Sequence, residues 1–167
     1  GFAYVKKGFG IYPILHGGEQ EKGARAGTEN THSILGMQKA MEIACENLNE
    51  ESAYIQELKS YFIDQLKTNF EGIQFNGLSE SDKNSSYIML NVRFPKAYAM
   101  LLFNLDLKGI SASGGSACQS GSNKGSHVLN AILDEKEAAK TSVRFSFSKF
   151  NTKQEIDVVI EVLKGIV

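Results

Sequence analysis

The sequence predicts an α/β fold of the α+β kind, a two-layer sandwich with helices packed on a mainly antiparallel sheet. Three observations carry that prediction. Apolar residues recur at spacings of three and four over residues 34–70 and 156–166, the period of amphipathic helices. Over 87–94 and 143–147 they alternate with polar residues instead, the period of a strand with one buried face. The strand patterns are short and separated by helical ones, which favours a layered sandwich.

Residues 1–5, Gly-Phe-Ala-Tyr-Val, form an apolar, β-prone run with no polar lead-in. It reads as a strand entered halfway, as in a domain cut from a longer chain. Eight of the 16 glycines fall in the first 36 residues and mark a loop region. Ile34, Met37, Met41, Ala44, Cys45 and Leu48, then Ile55, Leu58, Phe62, Leu66 and Phe70, predict one long helix or two in succession. Gly72 ends that pattern, residues 73–75 read as a short strand, and 79–86 are polar. In 87–94, Ile88, Leu90, Val92 and Phe94 alternate with Met89, Asn91 and Arg93. Pro95 stops the strand, residues 97–107 read as an apolar helix closed by Gly109, and 110–113 as a second short strand. Residues 126–133 follow as a helix. Val143, Phe145 and Phe147 then alternate with Arg144, Ser146 and Ser148 as a strand. Thr152 and Glu155 have capping-box spacing at the start of the last helix, whose stripe is Ile156, Val159, Ile160, Leu163 and Ile166.

Composition limits the function classes. The chain has 167 residues, 42% hydrophobic, with 18 basic and 19 acidic side chains and a net charge of −1, which fits one globular domain with a sizeable core. No basic excess exists to neutralise a nucleic-acid backbone. No apolar run approaches the roughly 20 residues that span a bilayer. Cys45 and Cys118 lack CxxC or Cys/His spacing, which argues against a disulfide framework and a zinc site; a cytoplasmic, reducing setting is the expectation.

Cys118 lies in Ser113-Gly-Gly-Ser-Ala-Cys-Gln-Ser-Gly-Ser-Asn-Lys-Gly125. Small neighbours leave its thiol unshielded, and Lys124 or a helix start near Ser126 would favour the thiolate that a nucleophile requires. The plainer reading is a linker that contains a cysteine. Cys45 falls on a helical apolar stripe and reads as a small buried hydrophobe. Arg144 sits on the strand face opposite Val143 and Phe145, where its guanidinium is either a fork for a carboxylate or a solvated charge. The loop His16-Gly-Gly-Glu-Gln-Glu-Lys-Gly-Ala-Arg-Ala-Gly-Thr-Glu-Asn30 precedes the first helix. Its freed N–H groups and the Thr28 hydroxyl would suit an anion, although it matches neither a Walker loop nor G-x-G-x-x-G. His16, His32 and His127 are not at metal-ligand spacing and read as surface or capping residues. Glu19 and Glu21 in a loop say little about geometry.

The 16–30 loop, residues 109–122 around Cys118, and Ser142-Val-Arg-Phe-Ser-Phe147 together resemble, in order and separation, the C-terminal portion of a cysteine desulfurase. That is a pyridoxal 5'-phosphate enzyme of the class V aminotransferase group. The resemblance covers nearly the whole chain. It implies that Cys118 is the nucleophile that takes sulfur from L-cysteine as a persulfide, leaving L-alanine. It implies that Arg144 holds the substrate carboxylate and that Thr28 reaches the cofactor phosphate of a neighbouring subunit, hence a homodimer. The implied sulfur acceptor is an iron–sulfur scaffold protein or a tRNA-thiolation protein. The family's Schiff-base lysine motif precedes a strand like 1–5; Lys6 and Lys7 follow it and are not that lysine, so the chain alone is expected to be inactive. Gln119 and Asn123-Lys-Gly depart from the family pattern. On this reading residues 1–30 are a remnant of the large cofactor domain and 31–167 are the small domain with its linking helix. The rival readings are a non-enzymatic persulfide relay or desulfurase-partner module, and a selenocysteine-directed or other class V lyase.

Overall fold

The computed structural model describes residues 2–81, 83–114 and 126–167, and the chain divides into two compact units, Gly1–Leu48 and Asn49–Val167. In the first unit, residues 2–19 have no helix or strand, and a turn at Gln20–Gly23 leads towards helix α1, Thr31–Glu46. Glu21 and Lys22 both adopt left-handed backbone angles in that turn. The strand expected over 1–5 does not form in residues 2–5, because an isolated strand leaves its N–H and C=O groups unpaired. Asn30 caps α1, its side-chain oxygen accepting from Ser33 N–H at 3.2 Å.

Helix α1 buries none of its residues. Cys45 is exposed, which corrects the expectation of a buried hydrophobe. Periodicity identified the helix without identifying a core position.

The second unit holds the core. Helix α2, Leu48–Asn69, starts after a break at Asn47, so the long apolar pattern is two helices. Among the described residues four strands follow, β1 (Gln74–Phe75), β2 (Met89–Arg93), β3 (Ser113–Gly114) and β4 (Ser142–Ser146). They form one antiparallel sheet in the order β1-β2-β4-β3. The expected two-layer α+β sandwich is what the chain builds. Helix α3, Leu101–Leu107, is shorter than the 97–107 pattern suggested. Two short helices, α4 (His127–Ile132) and α5 (Glu135–Ala138), precede β4, and α6, Lys153–Lys164, closes the chain.

Leu58, Phe62 and Leu66 of α2, Leu101 and Leu105 of α3, and Ile156, Ile160 and Leu163 of α6 bury against Leu90, Val92, Val143 and Phe145 of the sheet. Phe62 meets Phe145 edge-on at 5.0 Å. Each such side chain contributes about 1.5–3 kcal/mol by leaving water. This one-sided burial leaves the other sheet face to Met89, Asn91, Arg93, Ser142, Arg144 and Ser146. Thr152 and Glu155 make the predicted capping box at the start of α6.

Candidate functional site

Strand alternation places Arg144. Val143 and Phe145 are buried and Arg144 is exposed on the opposite face. Its register partner on β2 is Asn91 and on β3 is Ser113. The ladder's parity then decides which neighbour it meets. Phe147 N–H donates to Ile88 O and Phe94 N–H to Thr141 O, so pairs on that parity exchange backbone bonds. The Asn91–Arg144 pair has the other parity, in which facing side chains approach most closely. Among the described residues Arg144 has neither an ion-pair nor a hydrogen-bond partner, so its five donors are available to a ligand.

Beside it runs a polar network that the sequence reading did not single out. Asn76 N–H donates to Asn91 O at 2.9 Å, which extends the β1–β2 pairing by one residue. Buried Arg93 donates from Nη1 to Asn76 Oδ1 at 2.6 Å, and Asn76 Nδ2 donates to Asn91 Oδ1 at 2.8 Å and to Ser142 Oγ at 3.0 Å. Arg93 Nε lies 3.0 Å from Glu137 Oε2, but its N–H is not aligned on that oxygen and forms no hydrogen bond. That contact is therefore mainly Coulombic. The available signal was the alternation of β2, which puts Asn91 and Arg93 on the face of Arg144.

Thr28 lies in the first unit, exposed, two residues before the α1 cap. The loop around it is braced by its own side chains: Gly27 N–H donates to Gln20 Oε1 at 3.1 Å, and Arg25 Nη1 donates to Thr28 O at 3.3 Å. Asn30 already satisfies part of the α1 start, which weakens the expectation of an open anion site there. One hydroxyl fits one phosphate oxygen, not a whole cofactor, so no chemical step at a cofactor follows from these residues. Cys118 and Lys124 lie outside the described residues. Among the described residues no group of His, Cys, Asp and Glu side chains is placed to hold a metal, and no helix is long and apolar enough to cross a membrane.

A groove of about 490 Å³ lies along Ile110, Phe145, Phe147, Thr152 and Val159. Phe145 and Phe147 project to the core side of β4, so it opens away from the Arg144 face.

Comparison with known proteins adds to this geometry. The family model described as aminotransferase class-V matches residues 15–159. A cysteine desulfurase IscS of Dictyoglomus turgidum is 38% identical over 170 residues, covering all of this chain and 42% of that protein. A putative cysteine desulfurase IscS 1 of Bacillus subtilis is 36% identical over 169 residues, covering all of this chain and 44% of that protein. Among solved structures, a NifS-like protein superposes with a TM-score of 0.77 at 32% identity, over 98% of this chain and 40% of its own. A NifS-like protein from Rickettsia africae superposes at 0.74 with 29% identity, over 95% and 40%. The chain thus spans about two fifths of the length of the relatives it matches.

Proposed function

We propose, from the premise that this chain belongs to the aminotransferase class-V family, that it is the C-terminal, sulfur-accepting part of a cysteine desulfurase. The observation that carries the reading is Arg144: an exposed guanidinium on a rigid central strand, without a partner among the described residues. A strand-borne fork of this kind suits bidentate recognition of a small carboxylate. The IscS-named relatives at 36–38% identity support L-cysteine as the amino acid that brings it.

On this reading Arg144 fixes the substrate by its α-carboxylate. The Cys118 thiolate attacks the substrate sulfur; an S–S bond forms and the Cβ–Sγ bond breaks. The bonding pair of the broken bond stays with the β-carbon, which takes a proton and leaves as part of L-alanine. Cys118 keeps the transferred sulfur as a persulfide. Pyridoxal 5'-phosphate, when bound in the complete enzyme, supplies the electron sink for that carbon. On the same reading the Thr28 hydroxyl reaches towards the cofactor phosphate of a second subunit in a homodimer. Residues 1–30 then belong to the cofactor domain and 31–167 to the small domain. The persulfide passes to an acceptor such as an iron–sulfur scaffold protein in the cytoplasm.

The test is made on the full-length protein. Cys118→Ser is expected to abolish sulfide release from L-cysteine while leaving the cofactor's absorbance intact. Turnover retained in that variant would remove Cys118 from the reaction.

A further inference from the structure

We propose that Asn91 is a second substrate-binding residue, its side-chain amide donating to the carboxylate that Arg144 holds. This rests on the cysteine desulfurase reading for the identity of the ligand and on the hydrogen-bond inventory for everything else.

The hydrogen bonds around Asn76 fix which way Asn91 points. A guanidinium only donates, so Arg93 Nη1 at 2.6 Å requires the oxygen of Asn76 on its side. The Asn76 amide nitrogen must then face the other way, and it donates to Asn91 at 2.8 Å. Asn91 therefore presents its oxygen to Asn76 and turns its NH2 group away from β1. The next position in that direction is Arg144, the register partner on β4, at the pair parity where side chains lie closest.

Two donor-bearing residues, Asn91 and Arg144, thus occupy paired positions on one sheet face. No described residue supplies either with an acceptor. Donors do not satisfy one another, and two of them converging on a sheet face define a place for an acceptor with two oxygens. Asn91 is half-buried, so its amide is better shielded from competing water than that of a fully exposed residue. Glu137 lies 3.0 Å from Arg93 Nε and holds the charge at the start of this relay. The relay runs Glu137, Arg93, Asn76, Asn91, and its last member faces the ligand.

The decisive variant is Asn91→Asp in the full-length protein. Asp keeps an oxygen for Asn76 to donate to, so a purely structural role survives. It replaces the ligand-facing NH2 with a carboxylate oxygen, which repels a substrate carboxylate and competes for Arg144. The expected result is a KM for L-cysteine and a dissociation constant for L-serine, the non-sulfur analogue, each raised at least ten-fold, with the melting temperature close to wild type. Unchanged KM and L-serine affinity would overturn the proposal, as would a lowered melting temperature with unchanged affinity, the result expected if an acidic side chain from the rest of the protein fills the gap.

Should Asn91→Asp fail to fold, Asn76→Ala carries the test. It frees the Asn91 amide to rotate and is expected to raise both constants about three-fold; no change would count against the assignment. Wild-type protein that binds L-serine in an Asn91-dependent way without releasing sulfur from L-cysteine would defeat the desulfurase reading and leave the Asn91 assignment standing. Wild-type protein that binds no amino acid would end both.

Discussion

Arg144 owes its usefulness to a strand position whose neighbours on both sides are small or uncharged, Asn91 and Ser113. A carboxylate at either position would have neutralised it within the sheet. The same chemistry with the opposite outcome is seen at Tyr61, where a carboxylate is present. The Tyr61 hydroxyl donates to Asp157 Oδ1 at 2.7 Å. That hydrogen bond, then burial, then the negative charge of Asp157 hold the phenol's pKa above its ordinary value of 10.0. A raised pKa in the folded state means tighter proton binding there. The stability it contributes is fully present below pH 10 and is lost as pH rises through the raised value. An ultraviolet titration of the full-length protein, with the Tyr61→Phe signal subtracted, is expected to place Tyr61 above an ordinary tyrosine. Asp157→Asn should move it downwards. A phenol that titrates normally in both proteins would contradict the geometry.

At the scale of elements, β3 is the weakest-looking and most constrained piece. It is two residues long, yet it seats Ser113 beside Arg144. A Cβ at Gly114 would stand 2.5 Å from Leu102 Cδ1 and 3.4 Å from the Ser142 carbonyl oxygen. Leu102 is partly buried against the core, so its side chain must shift for a methyl group to fit. Gly114→Ala is therefore expected to destabilise the full-length protein by about 1–3 kcal/mol through overpacking, measured by denaturant unfolding. Stability unchanged within 0.5 kcal/mol, about the spread of ordinary surface substitutions, would mean that β3 does not sit against α3.

Element type was largely legible because period and capping are local properties. The alternation of β2 and β4, the α2 stripe and the Thr152–Glu155 box all appear in the structure. What stayed hidden depends on partners. Residues 2–5 have strand composition but, among the described residues, no strand beside them, and α1 has a stripe but buries nothing, so Cys45 is exposed. The start of α3 moved to Leu101 because Tyr98 and Thr141 bond to each other between the strands and the helix, Tyr98 N–H donating to Thr141 Oγ1 at 2.7 Å. The Arg93–Asn76–Asn91 relay joins residues up to 17 apart in sequence, which no local period reveals.

For the whole molecule, the chain divides into a unit with a dense core, Asn49–Val167, and a unit whose helix is unburied, Gly1–Leu48. Phe2, Tyr4, Phe9, Tyr12 and Ile14 are also exposed. The chain spans about two fifths of the length of its relatives, so the proposed reaction is tested in the full-length protein. On the proposed reading, sulfur from L-cysteine comes to rest on Cys118. The most direct measurement is peptide mass spectrometry of the full-length protein after brief exposure to L-cysteine, with free thiols blocked before digestion. One added sulfur is expected on the peptide that contains Cys118 and none on the peptide that contains Cys45. L-alanine formed without added sulfur on Cys118, or sulfur on Cys45 alone, would contradict that reading.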